Sequence, residues 1–177
     1  TVISVGASSA TYPTVINLGK DIVVNGDGSA NPGEDCVARC RNGSTLNVLD
    51  GATITSTSVL YCVAGGSAGN DNTATLNIYD GAVINSTASA SEASPVIANH
   101  GTLTISGGEI NASNAYAIEN YGTATISGGD FDDTIYNCSN GEIKMSGGTI
   151  TVTAGISILN EGTFEMNGGS ITSTGSA

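Results

Sequence analysis

The chain has 177 residues, a formal charge of −12, and four basic residues: Lys20, Arg39, Arg41 and Lys144. So few cations cannot build the phosphate-neutralising surface that nucleic-acid binding needs, and no apolar run approaches the roughly 20 residues of a membrane span. Gly, Ser, Thr and Asn dominate while Trp is absent, which disfavours helix and points to a thin, repeated core of small and β-branched side chains.

Residues 1–35 read as an irregular first coil and loop. VISV and VINLGKDIVV are apolar β-type segments, and NGDGSANPGED from Asn25 to Asp35 is turn chemistry throughout. The chain starts with Thr1 instead of Met, which is expected either of a processed mature protein or of a piece cut from a longer chain. Residues 36–172 then repeat one unit, and 173–177 form the C-terminal end.

The unit is clearest as LTISGGEI from Leu103 to Ile110. It recurs as ATISGGDF (Ala124 to Phe131), IKMSGGTI (Ile143 to Ile150) and FEMNGGSI (Phe164 to Ile171), and more loosely as LNVLDGATI from Leu46 and LNIYDGAVI from Leu76. Within it Leu103, Ile105 and Ile110 point inward, whereas Thr102, Thr104 and Ser106 point outward. A turn of the form IANHGT precedes each later copy, so Asn99, Asn120, Asn137 and Asn160 occupy one column. Stacked Asn side chains can bond to copies of themselves. The corner glycines Gly51, Gly81, Gly108, Gly129, Gly148 and Gly169 mark a period of about 20 residues in the later half and nearer about 30 in the earlier half, where the extra length falls in loops. This pattern predicts a single all-β domain: a single-stranded, right-handed parallel β-helix (β-solenoid) of about seven coils with little or no helix.

The cysteines are the sharpest local signal. Aligning CVARC (Cys36 to Cys40) with CVAGG (Cys62 to Gly66) places Cys36 and Cys62 in one column of neighbouring coils, within disulfide range. An intrachain bridge and an oxidising, extracellular setting follow. Cys40 and Cys138 share a column in the same alignment, but four coils separate them by roughly 19 Å, beyond the limit of about 7 Å. They are candidates for intersubunit disulfides, with free thiols or a Cys36–Cys40 pairing as the other options.

Other constellations are weak. Asp130, Asp132 and Asp133 are a polar corner without a cleft in which two carboxylates could work on a substrate. His100 is the single histidine. Tyr79, Tyr116, Tyr121 and Tyr136 could offer sugar-binding surface, Tyr121 beside His100 being the best placed. Asp27, Asn31, Glu34 and Asp35 match no calcium-loop spacing. The threonine columns are interrupted by Glu142, Lys144 and Glu165, which breaks a flat array. Sequons at Asn42, Asn85, Asn111 and Asn137 are no more than composition delivers. No catalytic, metal or cofactor site is predicted, and the chain does not read as an enzyme.

The repeated I-x-N-x-G-T-x-x-I-x-G-G-x-I unit, over roughly residues 36–172, resembles the pectin-lyase-like right-handed parallel β-helix repeats of secreted and cell-surface proteins. That family includes polysaccharide lyases and hydrolases, carbohydrate-binding modules, adhesins and surface-layer components. The composition also resembles proteins that build the sheaths of methanogenic archaea. Without a helical cap at either end, the chain is expected to be a structural cell-surface protein that self-assembles through its solenoid ends and disulfides into a fibre, sheath or surface layer. Its expected partner is itself, with cell-surface polysaccharide as a second candidate; the alternative function is a carbohydrate-binding or adhesive module.

Overall fold

The computed structural model describes residues 2–6, 13–26, 36–57, 63–66, 72–87, 95–113 and 116–175. Among these residues there are strands and turns and no helix. The strands are β1 (Ile3–Val5), β2 (Val15–Leu18), β3 (Val23–Gly26), β4 (Ala38–Cys40), β5 (Thr45–Val48) and β6 (Thr53–Ser56). They continue as β7 (Val63–Gly65), β8 (Thr75–Ile78), β9 (Val83–Ser86), β10 (Ile97–Asn99), β11 (Thr102–Ile105) and β12 (Glu109–Ala112). Then come β13 (Ile118–Asn120), β14 (Thr123–Ile126), β15 (Asp130–Phe131), β16 (Ile135–Asn137), β17 (Glu142–Val152), β18 (Ile158–Asn160) and β19 (Thr163–Ser173).

Hydrogen-bonded neighbours are parallel and mostly three strands apart in the chain. One sheet of seven strands runs β1-β4-β7-β10-β13-β16-β18, and a second of twelve runs from β2 through β5, β8, β11 and β14 to β17, then back through β15, β12, β9 and β6 to β3, with β19 on β17. The long strand β17 explains the return: Glu142 to Met145 pair with β14, while Thr149 and Ile150 pair with β15. The second sheet is therefore strongly curled.

The core is a set of register columns. Ile16, Leu46, Leu76, Leu103, Ala124, Ile143 and Phe164 form one; Val24, Ile54, Ile84, Ile110, Phe131, Ile150 and Ile171 form another. The alternation of apolar and polar residues sets these faces, because a parallel ladder in register puts like upon like. Each fully covered Ile or Leu is worth about 1.5–3 kcal/mol. From Leu46 to Ile143 the first column is wholly buried.

Cover is unequal at the two outermost sets of strands. In the column of Leu18, Val48, Ile78, Ile105, Ile126, Met145 and Met166, Leu18 is 7% exposed and Met145 1%, but Met166 is 37% exposed; Ile171 is 42% exposed above a fully buried Ile150. Thus the outer side of β19 carries bare core positions.

Candidate functional site

The inward column at the end of the short strands changes character along the stack. Val5, Cys40 and Gly65 come first, followed by Asn99, Asn120, Asn137 and Asn160 in register. Asn99, Asn120 and Asn137 are wholly buried, and a buried amide needs partners. Each finds them in the next copy: Asn99 Nδ2 donates to Asn120 Oδ1 at 2.8 Å, Asn120 Nδ2 to Asn137 Oδ1 at 2.9 Å, and Asn137 Nδ2 to Asn160 Oδ1 at 2.8 Å. The same amides donate to the carbonyls of Gly101, Gly122 and Gly141. Asn160 is exposed and donates to Gly162 O at 3.1 Å, so the ladder stops there.

Gly51, Gly81, Gly108, Gly129, Gly148 and Gly169 have φ between 74° and 99°. A second series, Gly107, Gly128, Gly147 and Gly168, is glycine for a different reason: a Cβ there would strike the backbone of the preceding copy. Successive corners therefore sit directly on one another.

Two further asparagine ladders lie outside the core. Asn47 Nδ2 donates to Asn17 Oδ1 at 2.7 Å and Asn77 Nδ2 to Asn47 Oδ1 at 2.8 Å; on the adjoining face Asn111 Nδ2 donates to Asn85 Oδ1 at 2.7 Å. The sequence pattern LNV and LNI signals the first, but an outward Asn is indistinguishable from a solvated one until register is known. The sequons at Asn85 and Asn111 fall within the second outer ladder, and that at Asn137 falls within the core ladder, where its amide is buried.

The cysteines need a register correction. Ala38 faces Val63 and Cys40 faces Gly65, whereas the alignment of CVARC with CVAGG requires Val37 opposite Val63. Cys40 consequently belongs to the column of Asn99 to Asn160, and Cys138 follows that column by one residue. Cys36, Cys40 and Cys138 are all buried, and no disulfide joins two of them. Cys40 Sγ donates to Ser44 O at 2.9 Å. Cys62, the partner expected for Cys36, lies outside the described residues.

On the outer face, Tyr121 stacks on His100 with ring centroids 4.5 Å apart and planes 6° from parallel. Its hydroxyl donates to Glu119 Oε1 at 2.7 Å. Burial and this carboxylate raise the Tyr121 pKa; burial alone lowers that of His100. Burial pushes the thiol pKa of nearby Cys138 up, against a smaller lowering from Tyr121 and Tyr136. Tyr136 donates to Glu161 Oε2 at 3.0 Å, and this bond leads the effects that push its pKa up to about 12. It also packs obliquely on Tyr116 at 5.3 Å. One face of the Tyr121 ring is thus occupied by His100, and both Tyr121 and Tyr79 are 41% exposed.

The acidic corner serves the backbone. Asp132 Oδ1 accepts from Ala112 N and Asp133 Oδ1 from Thr134 N, both at 2.6 Å. Nearby, Asp80, Glu109 and Asp130 line an open notch of about 200 Å³. Among the described residues no three His, Cys, Asp or Glu side chains could hold a metal ion; Asp27, Asn31, Glu34 and Asp35 lie outside them. Thr123 faces Glu142 and Thr125 faces Lys144, whose ammonium pairs with Glu142 at 2.8 Å. Among the described residues no helix is long and apolar enough to cross a membrane.

No family model matches the chain, and comparison with curated proteins and with solved structures found no significant match.

Proposed function

We propose that the chain is a right-handed parallel β-solenoid of seven coils, of the pectin-lyase-like type, and that it works as a structural cell-surface protein by stacking on copies of itself. Parallel neighbours three strands apart and a seven-membered first sheet support the coil count. Right-handedness follows the rule for parallel crossovers.

The observation that carries the assembly reading is the outer side of β19, where Met166 and Ile171 are 37% and 42% exposed at positions buried to within 1% in β17. Continuing each column into a second copy puts Phe164 over Ile16, Met166 over Leu18 and Ile171 over Val24. Apolar positions meet apolar ones, and the edge of β19 that has no partner among the described residues gains one. We assign the chain no enzymatic role and place it outside the cell, in a fibre, sheath or surface layer. Disulfide reinforcement through Cys40 or Cys138 requires their burial to open first.

Sedimentation velocity of the native 177-residue chain at micromolar concentration, with and without reductant, tests this reading. Concentration-dependent assemblies are expected, and a stable monomer overturns the proposal. Assemblies unchanged by reductant remove the disulfide component alone. The alternative of a carbohydrate-binding module is tested by a polysaccharide screen on the same material.

A further inference from the structure

We propose that Arg39 in β4 and Arg41 just after it form an oxyanion-binding site, taking a carboxylate or phosphate group between two guanidinium forks. Ala38 and Cys40 point into the core, so Arg39 between them points outward. Yet Arg39 is only 5% exposed, Arg41 is half-buried, and the Nε of each is enclosed without a hydrogen-bond partner.

This is an unusual use of charge. The chain has 16 acidic and four basic residues, and two of those four stand two residues apart in a buried setting. A buried guanidinium is strongly unfavourable unless an anion is paired with it. Among the described residues the register offers none nearby: Arg39 lies between Ser4 and Ala64, and Cys40 lies opposite Gly65. Following the Arg39 column onward, Ala98 comes next and the first carboxylate is Glu119 in β13. That is three strand spacings from β4, about 14 Å.

What such a pair selects follows from its geometry. Each fork presents Nε–H and an Nη–H in one plane, matched to two oxygens of a carboxylate or phosphate. Chloride cannot span a fork, and a Lys ammonium cannot replace one. The two forks together provide a charge of +2, which a phosphate, a sulfate or a dicarboxylate neutralises. The site does not depend on stacking between copies.

The chain contains two arginines, so a ¹⁵N spectrum of the wild-type protein has two Nε–Hε resonances to follow. Titration with sodium phosphate, sodium sulfate and sodium succinate, each against sodium chloride at matched ionic strength, should shift both resonances saturably for at least one oxyanion and raise the thermal midpoint. The pattern among the three salts distinguishes phosphate-type from carboxylate-type ligands. Arg39→Lys keeps the charge and loses the fork, and should weaken the response at least about tenfold. Three results overturn the proposal: no oxyanion acts beyond chloride, Arg39→Lys responds like wild type, or Glu34→Gln with Asp35→Asn moves the arginine resonances without added salt. The last would identify an internal carboxylate as the occupant. If Arg39→Lys fails to fold, the wild-type titration alone decides.

Discussion

Asn120 donates its Nδ2 to Asn137 Oδ1 at 2.9 Å, with both side chains fully enclosed. Because Asn120 also accepts from Asn99 at 2.8 Å, it is an inner rung of the buried ladder. Asn120→Ala would strip Asn99 of an acceptor and Asn137 of a donor at once. An orphaned buried polar group costs about 1–3 kcal/mol, so the loss should be about 3 kcal/mol. Asn160→Ala, at the exposed end, should cost under about 1 kcal/mol. Urea unfolding of the two variants checks the contrast; equal losses would mean that the ladder carries little of the stability.

The glycine columns separate torsional need from steric need. Gly128 has no positive φ, but a Cβ there would sit on the carbonyl oxygen of Ser106 in the preceding copy. Gly155 has φ 97°, and a methyl group added there would meet nothing within 4 Å. Gly155→Ala should therefore cost only backbone strain, about 1–2 kcal/mol. Gly128→Ala has to push two strands apart, and should lower the unfolding free energy by clearly more. Thermal melts rank them, and the opposite order would refute direct corner-on-corner stacking.

These two features are also the most legible in the sequence, since an inward Asn and a paired Gly recur at constant offsets from a strong apolar pattern. The cysteine register is not. Strand β4 has three residues, so in-out alternation fixes its register only weakly and the similarity of CVARC to CVAGG pulls the alignment by one residue. In a strand of three residues nothing else corrects such a slip. The outer ladder of Asn17, Asn47 and Asn77 escapes for a related reason: an outward polar residue satisfies the pattern whether or not it bonds to its copies. The burial of Arg39 is invisible because alternation assigns its position to solvent.

The His100 and Tyr121 stack gives a pH dependence with a definite sign. Burial lowers the His100 pKa below its ordinary value of 6.5, so between the folded and unfolded values the unfolded chain binds more protons. Stability from this group is complete above about pH 6.5 and is lost as pH falls through that window. His100→Phe keeps an aromatic ring against Tyr121 and removes the titration. Between about pH 7.5 and about pH 5, wild type should lose more unfolding free energy than His100→Phe. Parallel losses would show that the imidazole remains as easily protonated in the fold as outside it.

Cys138 is 5% exposed and burial raises its thiol pKa. Both effects reduce the accessible thiolate, which is the reactive form. Alkylation of native Cys138 by iodoacetamide, followed by peptide mass spectrometry, should be slower than in urea by at least about tenfold. Removing the neighbouring Tyr121 ring by Tyr121→Ala should recover part of that rate. Fast modification of the native protein would show that this thiol is open to another subunit.

Ile150 and Ile171 are consecutive members of one column, 0% and 42% exposed. If Ile171 is covered by another copy, a carboxylate there has to be desolvated on assembly, which strongly disfavours stacking. In the isolated chain the same carboxylate reaches water, so Ile171→Glu should change the unfolding free energy by less than about 1 kcal/mol. Ile150→Glu, by contrast, buries the charge within the chain and should prevent folding. Sedimentation of Ile171→Glu should therefore show a folded monomer under conditions in which wild type assembles. Assembly at the wild-type level would remove β19 as the stacking surface, because no arrangement that covers Ile171 with the columns of a second copy leaves room for an unpaired carboxylate.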